Sequence, residues 1–338
     1  MKKLHVFSKA DMAKGHGVLS AYEEQVKLSR KVLKGDYEIE VNPKKLGDIN
    51  HYHTINLGFY LKNKFFGKNS VSVGYVHFLP ETIDESIQMP GFARKIFYWY
   101  ILKFYKSMDY LVVVNPYFIE LMKKYGIDTS RTVYIPNLVS NDKFERKNEE
   151  EKIAIRKKMG LEDRFVVLGV GQLQVRKGIF DFVKLAERNP DMDFIWAGGY
   201  SFGRSSDGYK EIKKLEENPP KNMKFLGIVE RNDMTDYYNI ADVMLLPSFS
   251  ELFPMTILEA MATNTPVLLR DLDIYPLILD GYYLKASDME GFEKELYKIR
   301  DDKDYRQKAI EMSKKGHDFY SEESVGKMWR EFYDNISK

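Results

Sequence analysis

The stretch SELFPMTILEAMA, residues 250–262, separates Glu251 and Glu259 by seven residues; Glu251 lies just before Pro254, and Glu259 sits within a run of Met, Ile, Leu and Ala. Pro254 is predicted to be the first residue of a helix, where its missing N–H is not needed, and the helix then runs through Met255 and Thr256 to Ala262. The start of such a helix offers unpaired N–H groups and the positive end of its dipole, which can hold a phosphate. An acid there is electrostatically awkward unless it accepts hydrogen bonds from hydroxyls. A sugar nucleotide carries hydroxyls at both ends with a diphosphate between. Taken alone, two glutamates so spaced read as an exposed loop acid and an exposed helical acid. Upstream, GVGQLQVRKG places Arg176 and Lys177 after an apolar run, between Gly171 and Gly178. Glycines there would let backbone approach a ligand. The bland reading is an Arg-Lys pair on a solvated loop.

The elements that must carry these residues follow an alternating rhythm. KLHVF (3–7), VSVGYVHF (71–78), YLVVVN (110–115) and TVYIPN (132–137) read as strands, with a helix over 16–33 and another pattern between the second and third strands. After the charged stretch 141–164, read as a linker running into a surface helix, the rhythm restarts. FVVLGVG (165–171), DFIWAGG (193–199), MKFLGIV (223–229), DVMLLPS (242–248) and TPVLLRD (265–271) read as strands, most of them followed by helices. This is the pattern of two doubly wound α/β units, with ligands beyond the carboxyl ends of their strands and a cleft expected between them. The boundaries are placed at 1–145 for the first domain and 146–319 for the second. A last helix, about 320–338, packs back on the first.

Bulk properties agree. A chain of 338 residues suits two domains, and 44% hydrophobic with 30% charged residues is ordinary for a globular protein. No cysteine is present, which excludes disulfides, thiolate metal sites and a cysteine nucleophile. The start does not read as a signal peptide, and no run approaches the roughly 18 apolar residues that span a bilayer, so a cytoplasmic location is expected. Charge is uneven: residues 1–150 hold 23 Lys and Arg against 17 Asp and Glu, the remainder 29 against 33. A basic first half suits an anionic surface, or simply a solvated face.

LLPSFSELFPMTILEAMATNTPVLL resembles the signature of the retaining nucleotide-sugar glycosyltransferases of the GT-B fold, family four. GVGQLQVRKGIFDFVKLA resembles that family's glycine–lysine donor motif, and KFLGIVERNDMTDYYNIADV, YIPNLV and VGYVHF resemble further segments, so the likeness covers nearly the whole chain. It implies that Glu259 grips the ribose hydroxyls and that Glu251 contacts the transferred sugar. It also implies that Arg176 and Lys177 face the diphosphate, with Gly171, Gln172, Phe253, Pro254, Met255 and Thr256 completing the donor site. Many members have arginine where this chain has Gln172, which moves the charge role onto Arg176 and Lys177. Gly15 and Gly17 in AKGHGVLS match a glycine-rich loop under the sugar phosphates, though an isolated G-x-G is often an ordinary turn. His77 is implied to lie near the reacting sugar, where a lone histidine is otherwise merely structural; Asn137 and Gly199 are implied to line the site. RDLDIY (270–275) contains Asp-x-Asp, but its place after the helix bearing Glu259 argues for a loop, and enzymes of this kind use helix dipole and basic side chains without a metal. Neither cofactor nor nucleic-acid partner is implied.

For the acceptor, GFARKIFYWYILKFYKSMD (91–109) reads as a helix with Lys95, Trp99, Lys103 and Lys106 on one stripe. That stripe suits a membrane interface and equally a buried helix with a solvated lysine edge. GFYLKNKFFGK (58–68) mixes Lys62, Lys64 and Lys68 with Phe59, Phe65 and Phe66 and reads as a loop dipping into lipid. Anionic lipid adds about 1 kcal/mol per nearby cation. In finer detail the donor segments resemble bacterial glycolipid synthases that add a second hexose, from UDP-galactose or UDP-glucose, to monoglucosyl-diacylglycerol at the inner face of the cell membrane. The alternatives are a diacylglycerol glucosyltransferase and a transferase with a soluble or cell-wall acceptor. A dinucleotide oxidoreductase is disfavoured because no G-x-G-x-x-G follows either first strand. A nucleotide-sugar epimerase would turn over donor without acceptor.

Overall fold

The computed structural model describes residues 1–9, 17–83, 90–140, 143–200, 203 and 206–337. Contacts divide the chain into two units, Met1–Leu138 with Ser321–Lys338, and Val139–Tyr320. The first unit contains β1 (Lys2–Phe7), α1 (Gly17–Val32), β2 (Tyr37–Val41), β3 (Ile49–Tyr52), α2 (Leu57–Phe66) and β4 (Val71–Val76), followed by α3 (Pro80–Ile83), α4 (Gly91–Lys106), β5 (Tyr110–Val113), α5 (Tyr117–Lys124) and β6 (Thr132–Tyr134). Its strands form one parallel sheet in the order β2-β1-β3-β4-β5-β6.

The second unit opens with α6 (Glu149–Met159), β7 (Phe165–Val170), α7 (Ile179–Arg188), β8 (Met192–Ala197), α8 (Tyr209–Glu217), β9 (Met223–Gly227) and α9 (Met234–Ile240). It continues with β10 (Val243–Leu246), α10 (Met255–Ala262), β11 (Val267–Arg270), α11 (Tyr275–Ile278), β12 (Leu284–Ala286), α12 (Met289–Asp301) and α13 (Lys303–Phe319). The parallel order is β12-β11-β10-β7-β8-β9. β7 is buried along its whole length, as expected of a strand covered on both faces, and Phe182, Phe194 and Trp196 pack edge to face beside it. Strands β7 to β9 run outward in one direction, and the chain then crosses back to place β10 on the other flank of β7. That reversal is the topological switch point, where doubly wound sheets bind ligands beyond the carboxyl ends of the strands.

The last helix, α14 (Glu322–Ile336), returns to the first unit, where Trp329 and Tyr333 are fully buried. The linker helix α6 buries no residue. It is held by a capping box between Asn148 and Glu151, a left-handed Gly160 at its end, acids in its first turn and bases in its last, all of which favour a solvated helix.

Three strands escape the sequence reading: β2, β3 and β12. β3 is Ile-Asn-His-Tyr, polar in composition yet buried throughout. Asn50 bonds the Gly47 backbone, and His51 Nδ1 meets the Tyr333 hydroxyl at 2.7 Å. Two local expectations are corrected. Residues 57–66 form a helix, not a loop; Asn56 caps it by accepting from the Gly58 N–H, which the mixed Lys and Phe spacing concealed. Pro254 is not the first helical residue but the cap before Met255, with extended backbone (ψ 118°).

Candidate active site

At the switch point the turn after β7 and the loop after β10 lie against each other. Residues Val175–Lys177 form a single 3-10 turn ended by Gly178 at φ +72°. A Cβ at Gly178 would stand 2.1 Å from the Pro247 carbonyl oxygen, so the left-handed backbone and the close approach both demand glycine. Gly198, at φ +139°, is constrained likewise, because a Cβ there would meet the Gly171 carbonyl at 1.9 Å. The Phe249 N–H donates to the Arg176 carbonyl at 2.8 Å, stitching the loop of Glu251 to the turn of the two cations.

This packing brings together three residues that the sequence singled out. Lys177 Nζ meets Glu251 Oε1 at 2.5 Å, with the two side chains only 12% and 4% exposed. Arg176 Nη1 reaches the Ser250 carbonyl at 3.4 Å. Its buried Nε finds no hydrogen-bond partner among the described residues. Burial pushes the Lys177 ammonium below its usual range; the charge of Glu251 acts the other way, and Arg176 adds to the lowering. A largely desolvated cation next to another cation gains from a polyanion, which would relieve both. Tyr275 is fully buried, and its phenol is raised well above its usual range by burial and then by the charge of Glu251.

Glu259, five residues into α10, belongs to a second arrangement. Tyr238 on α9 donates its hydroxyl to Oε2 at 2.8 Å, and Arg231 Nη2 lies 3.4 Å from Oε1. The Arg231 guanidinium also lies over the Phe144 ring at 5.5 Å. Neither Arg231 nor Tyr238 was identified from sequence. The signal was there in KFLGIVERNDMTDYYNIADV, as a cation followed by paired tyrosines in a segment already matched to the family. Gln172 and Thr256 are half-buried, and Phe253 and Met255 buried, around these loops. The Leu173 N–H bonds the Gly199 carbonyl at 3.0 Å. Asp271 of the Asp-x-Asp sequence pairs with Lys285 at 3.1 Å. Gly15 lies outside the described residues, and Gly17 is the first residue of α1.

In the first unit His77 follows β4, and His53 follows the neighbouring β3. The imidazoles of His51 and His53 are 4.5 Å apart, those of His53 and His77 5.8 Å, and Tyr75 stands against all three. The three rings are buried. Burial pushes His51 and His77 down to about 3 and His53 well below its usual value, the neighbouring imidazoles adding to the effect at His51 and His53. They are neutral at physiological pH. Asn137 is buried and accepts from the Tyr75 hydroxyl at 3.4 Å.

Helices α2 and α4 are neighbours in this unit: Tyr60 meets Tyr100 and Phe104 with ring centroids 6.1 and 6.4 Å apart. Trp99 is 58% exposed, Phe92 79% and Phe66 76%. Lys64, Phe65, Lys95, Lys103 and Lys106 are exposed as well, and Lys103 Nζ sits over the Trp99 ring at 4.5 Å. Lys62 differs. It turns inward to donate to the Pro43 carbonyl at 3.0 Å and lies 4.8 Å from the Phe7 ring centroid. Its place in a lipid-facing set is therefore withdrawn. Leu57, Leu61, Phe92 and Ile96, exposed on the same two helices, were not anticipated.

Two six-stranded parallel sheets, each doubly wound, are the architecture of the GT-B fold. Solved structures share the fold: sucrose-phosphate synthase from Thermosynechococcus elongatus (TM-score 0.79, 16% identity, 99% of both chains) and Anabaena HepE with UDP and glucose (TM-score 0.79, 13% identity, 99% of this chain and 100% of that one). The profile of the glycosyl transferases group 1 matches residues 151–316. The chain is 41% identical to alpha-galactosylglucosyldiacylglycerol synthase of Streptococcus pneumoniae over 98% of its own length and 89% of the relative's. It is 28% identical to processive diacylglycerol alpha-glucosyltransferase of Acholeplasma laidlawii over 97% and 95%. The chain belongs to the group 1 glycosyl transferases, as the resemblance implied.

Proposed function

We propose that this chain is a retaining hexosyltransferase that moves a sugar from UDP-galactose or UDP-glucose to a membrane glycolipid such as monoglucosyl-diacylglycerol. The observation that carries the reading is the buried Lys177–Glu251 pair beside Arg176, at the carboxyl ends of β7 and β10. In the reaction the bond from the anomeric carbon to the diphosphate oxygen breaks, and a bond to the acceptor hydroxyl oxygen forms on the same face. The acceptor proton passes to the departing diphosphate, and UDP leaves. Arg176 and Lys177 offset the charge on that leaving group, a task for fixed cations that needs no metal. Glu259, oriented by Tyr238 and Arg231, receives the ribose hydroxyls, while Glu251 holds Lys177 in place and receives a hydroxyl of the sugar. The role that the resemblance gives His77, contact with the transferred sugar, suits its neutral imidazole.

The glycolipid acceptor is supported by the names of the two relatives. A second reading, glucosyl transfer to diacylglycerol itself, is favoured by the Acholeplasma laidlawii relative. Labelled UDP-galactose and UDP-glucose, offered with diacylglycerol, glucosyl-diacylglycerol and free sugars, decide between them. Transfer to glucosyl-diacylglycerol with retained α-configuration is the expected result. Transfer only to free sugars overturns the reading.

The same reading places the enzyme at the inner face of the cell membrane, peripherally bound. Among the described residues no helix is long and apolar enough to cross a bilayer. Besides the inward-turned Lys62, helices α2 and α4 carry five basic residues and no acid between them. They expose Leu57, Leu61 and Phe65 at helical spacing on α2, and Phe92, Ile96 and Trp99 on α4. Apolar side chains interleaved with cations complement an anionic lipid surface. Sedimentation with vesicles containing phosphatidylglycerol, against neutral vesicles and rising salt, tests the assignment; equal binding to both vesicle types sinks it.

A further inference from the structure

We propose that Arg270, at the end of β11, is a positioning residue that locks the loop of Glu251 onto the turn of Arg176 and Lys177. Nothing in the family resemblance assigns it a role; it entered the sequence reading only as the residue before an Asp-x-Asp. The proposal rests on the reading of that site as the diphosphate site.

The guanidinium is nearly buried, and each edge of it is used. Nε donates to the Pro247 carbonyl at 3.0 Å, and Nη1 to the Ser287 carbonyl at 3.2 Å. Nη2 pairs with Asp181 in the first turn of α7. Its flat face lies over the Phe249 ring, 4.1 Å from the centroid. Pro247 and Phe249 open the loop that carries Glu251, whereas Asp181 lies three residues past Gly178 on the helix that follows the cationic turn. One planar cation thus ties both sides of the Lys177–Glu251 pair. It acts at the same Pro247 carbonyl that Gly178 packs against, and on the residue whose N–H reaches the Arg176 carbonyl. Lysine keeps the charge facing Asp181 but cannot supply the fork and the stacking plane together.

Pre-set geometry at a reacting centre shows in turnover more than in ground-state binding, and small displacements cost large factors. Glu259 is held by its own partners, so donor binding should be spared. The test uses the full chain with UDP-sugar and glycolipid vesicles, and compares wild type, Arg270→Lys, Phe249→Ala and the double variant. Arg270→Lys is expected to lower kcat by about tenfold or more, with KM for the donor changed by less than about threefold and thermal melting nearly unaltered. Phe249→Ala, at a half-exposed ring, is expected to lower kcat in the same way, and the double variant to be no worse than the weaker single. Wild-type kcat in a folded Arg270→Lys protein, or losses that multiply in the double variant, overturns the proposal while leaving the proposed function standing. If Arg270→Lys does not fold, Phe249→Ala decides alone, and wild-type kcat there overturns it. If wild type transfers from no UDP-sugar, the functional reading fails and this proposal falls with it.

Discussion

The two units end their parallel strands in opposite electrostatic manners. Beyond β7, β9 and β10 the second unit gathers charge: Lys177 against Glu251, Arg176 beside them, and Arg231 near Glu259. Beyond β3 and β4 the first unit gathers rings that burial keeps uncharged: His53, His77, and Tyr75 among them. Similar backbone architectures therefore support opposite solutions to burying polar groups. Opposite charges packed against each other offset the cost of burying either one. Unpaired imidazoles surrender theirs.

The largest expected effect comes from acid. An unfolded histidine takes a proton below about 6.5, whereas buried His51 and His77 resist until about 3. Their contribution is complete above about 6.5 and is lost progressively as pH falls toward 3, because the unfolded chain then binds more protons. At pH 5 each such histidine costs about 2 kcal/mol, so melting followed between pH 7.5 and pH 5 should show the first unit failing before the second. Simultaneous loss of both units would break the contrast. Next, Lys177→Ala should lower kcat by about 10²–10³ with the fold intact by circular dichroism; wild-type turnover would remove the charged site from the chemistry. Glu259→Ala should lower transfer by at least about tenfold through weaker donor binding, visible by titration calorimetry with UDP. The smallest effects belong to the outer helices. Trp99→Ala should weaken binding to anionic vesicles by about tenfold, in keeping with roughly 1.5 kcal/mol of lost apolar burial. Lys62→Ala should leave that binding nearly unchanged.

Much of this contrast was legible in the chain. The long apolar strands and the helix between 17 and 32 announce themselves by period and turn residues, and β7 and β10 were read within a residue or two of their ends. β3 was not, because a strand of Asn and His looks like a loop until its partners on α14 are known. Glu251 and Lys177 were each readable as residue types, yet their pairing spans 74 positions and follows only from the switch in strand order. Phe65 and Trp99 were readable as residue types suited to lipid and are exposed, but Lys62 on the same segment turns inward. Only the fold reveals that a side chain two residues from an exposed one turns toward Phe7. His51 and His53, two apart, share one face of an extended chain, a signal that could have exposed the imidazole cluster.

Helix α14 carries a consequence for biosynthesis. The first unit's sheet is made from residues emerging early, but Trp329 and Tyr333, which seal it, leave the ribosome after the whole second unit, Val139–Tyr320, has been translated. At typical elongation speeds that interval lasts roughly 10–35 s, long enough for the later-born unit to mature first. Through that interval a nascent amino-terminal half has its aromatic seam still open, so the order of synthesis and the order of closure differ for the two units.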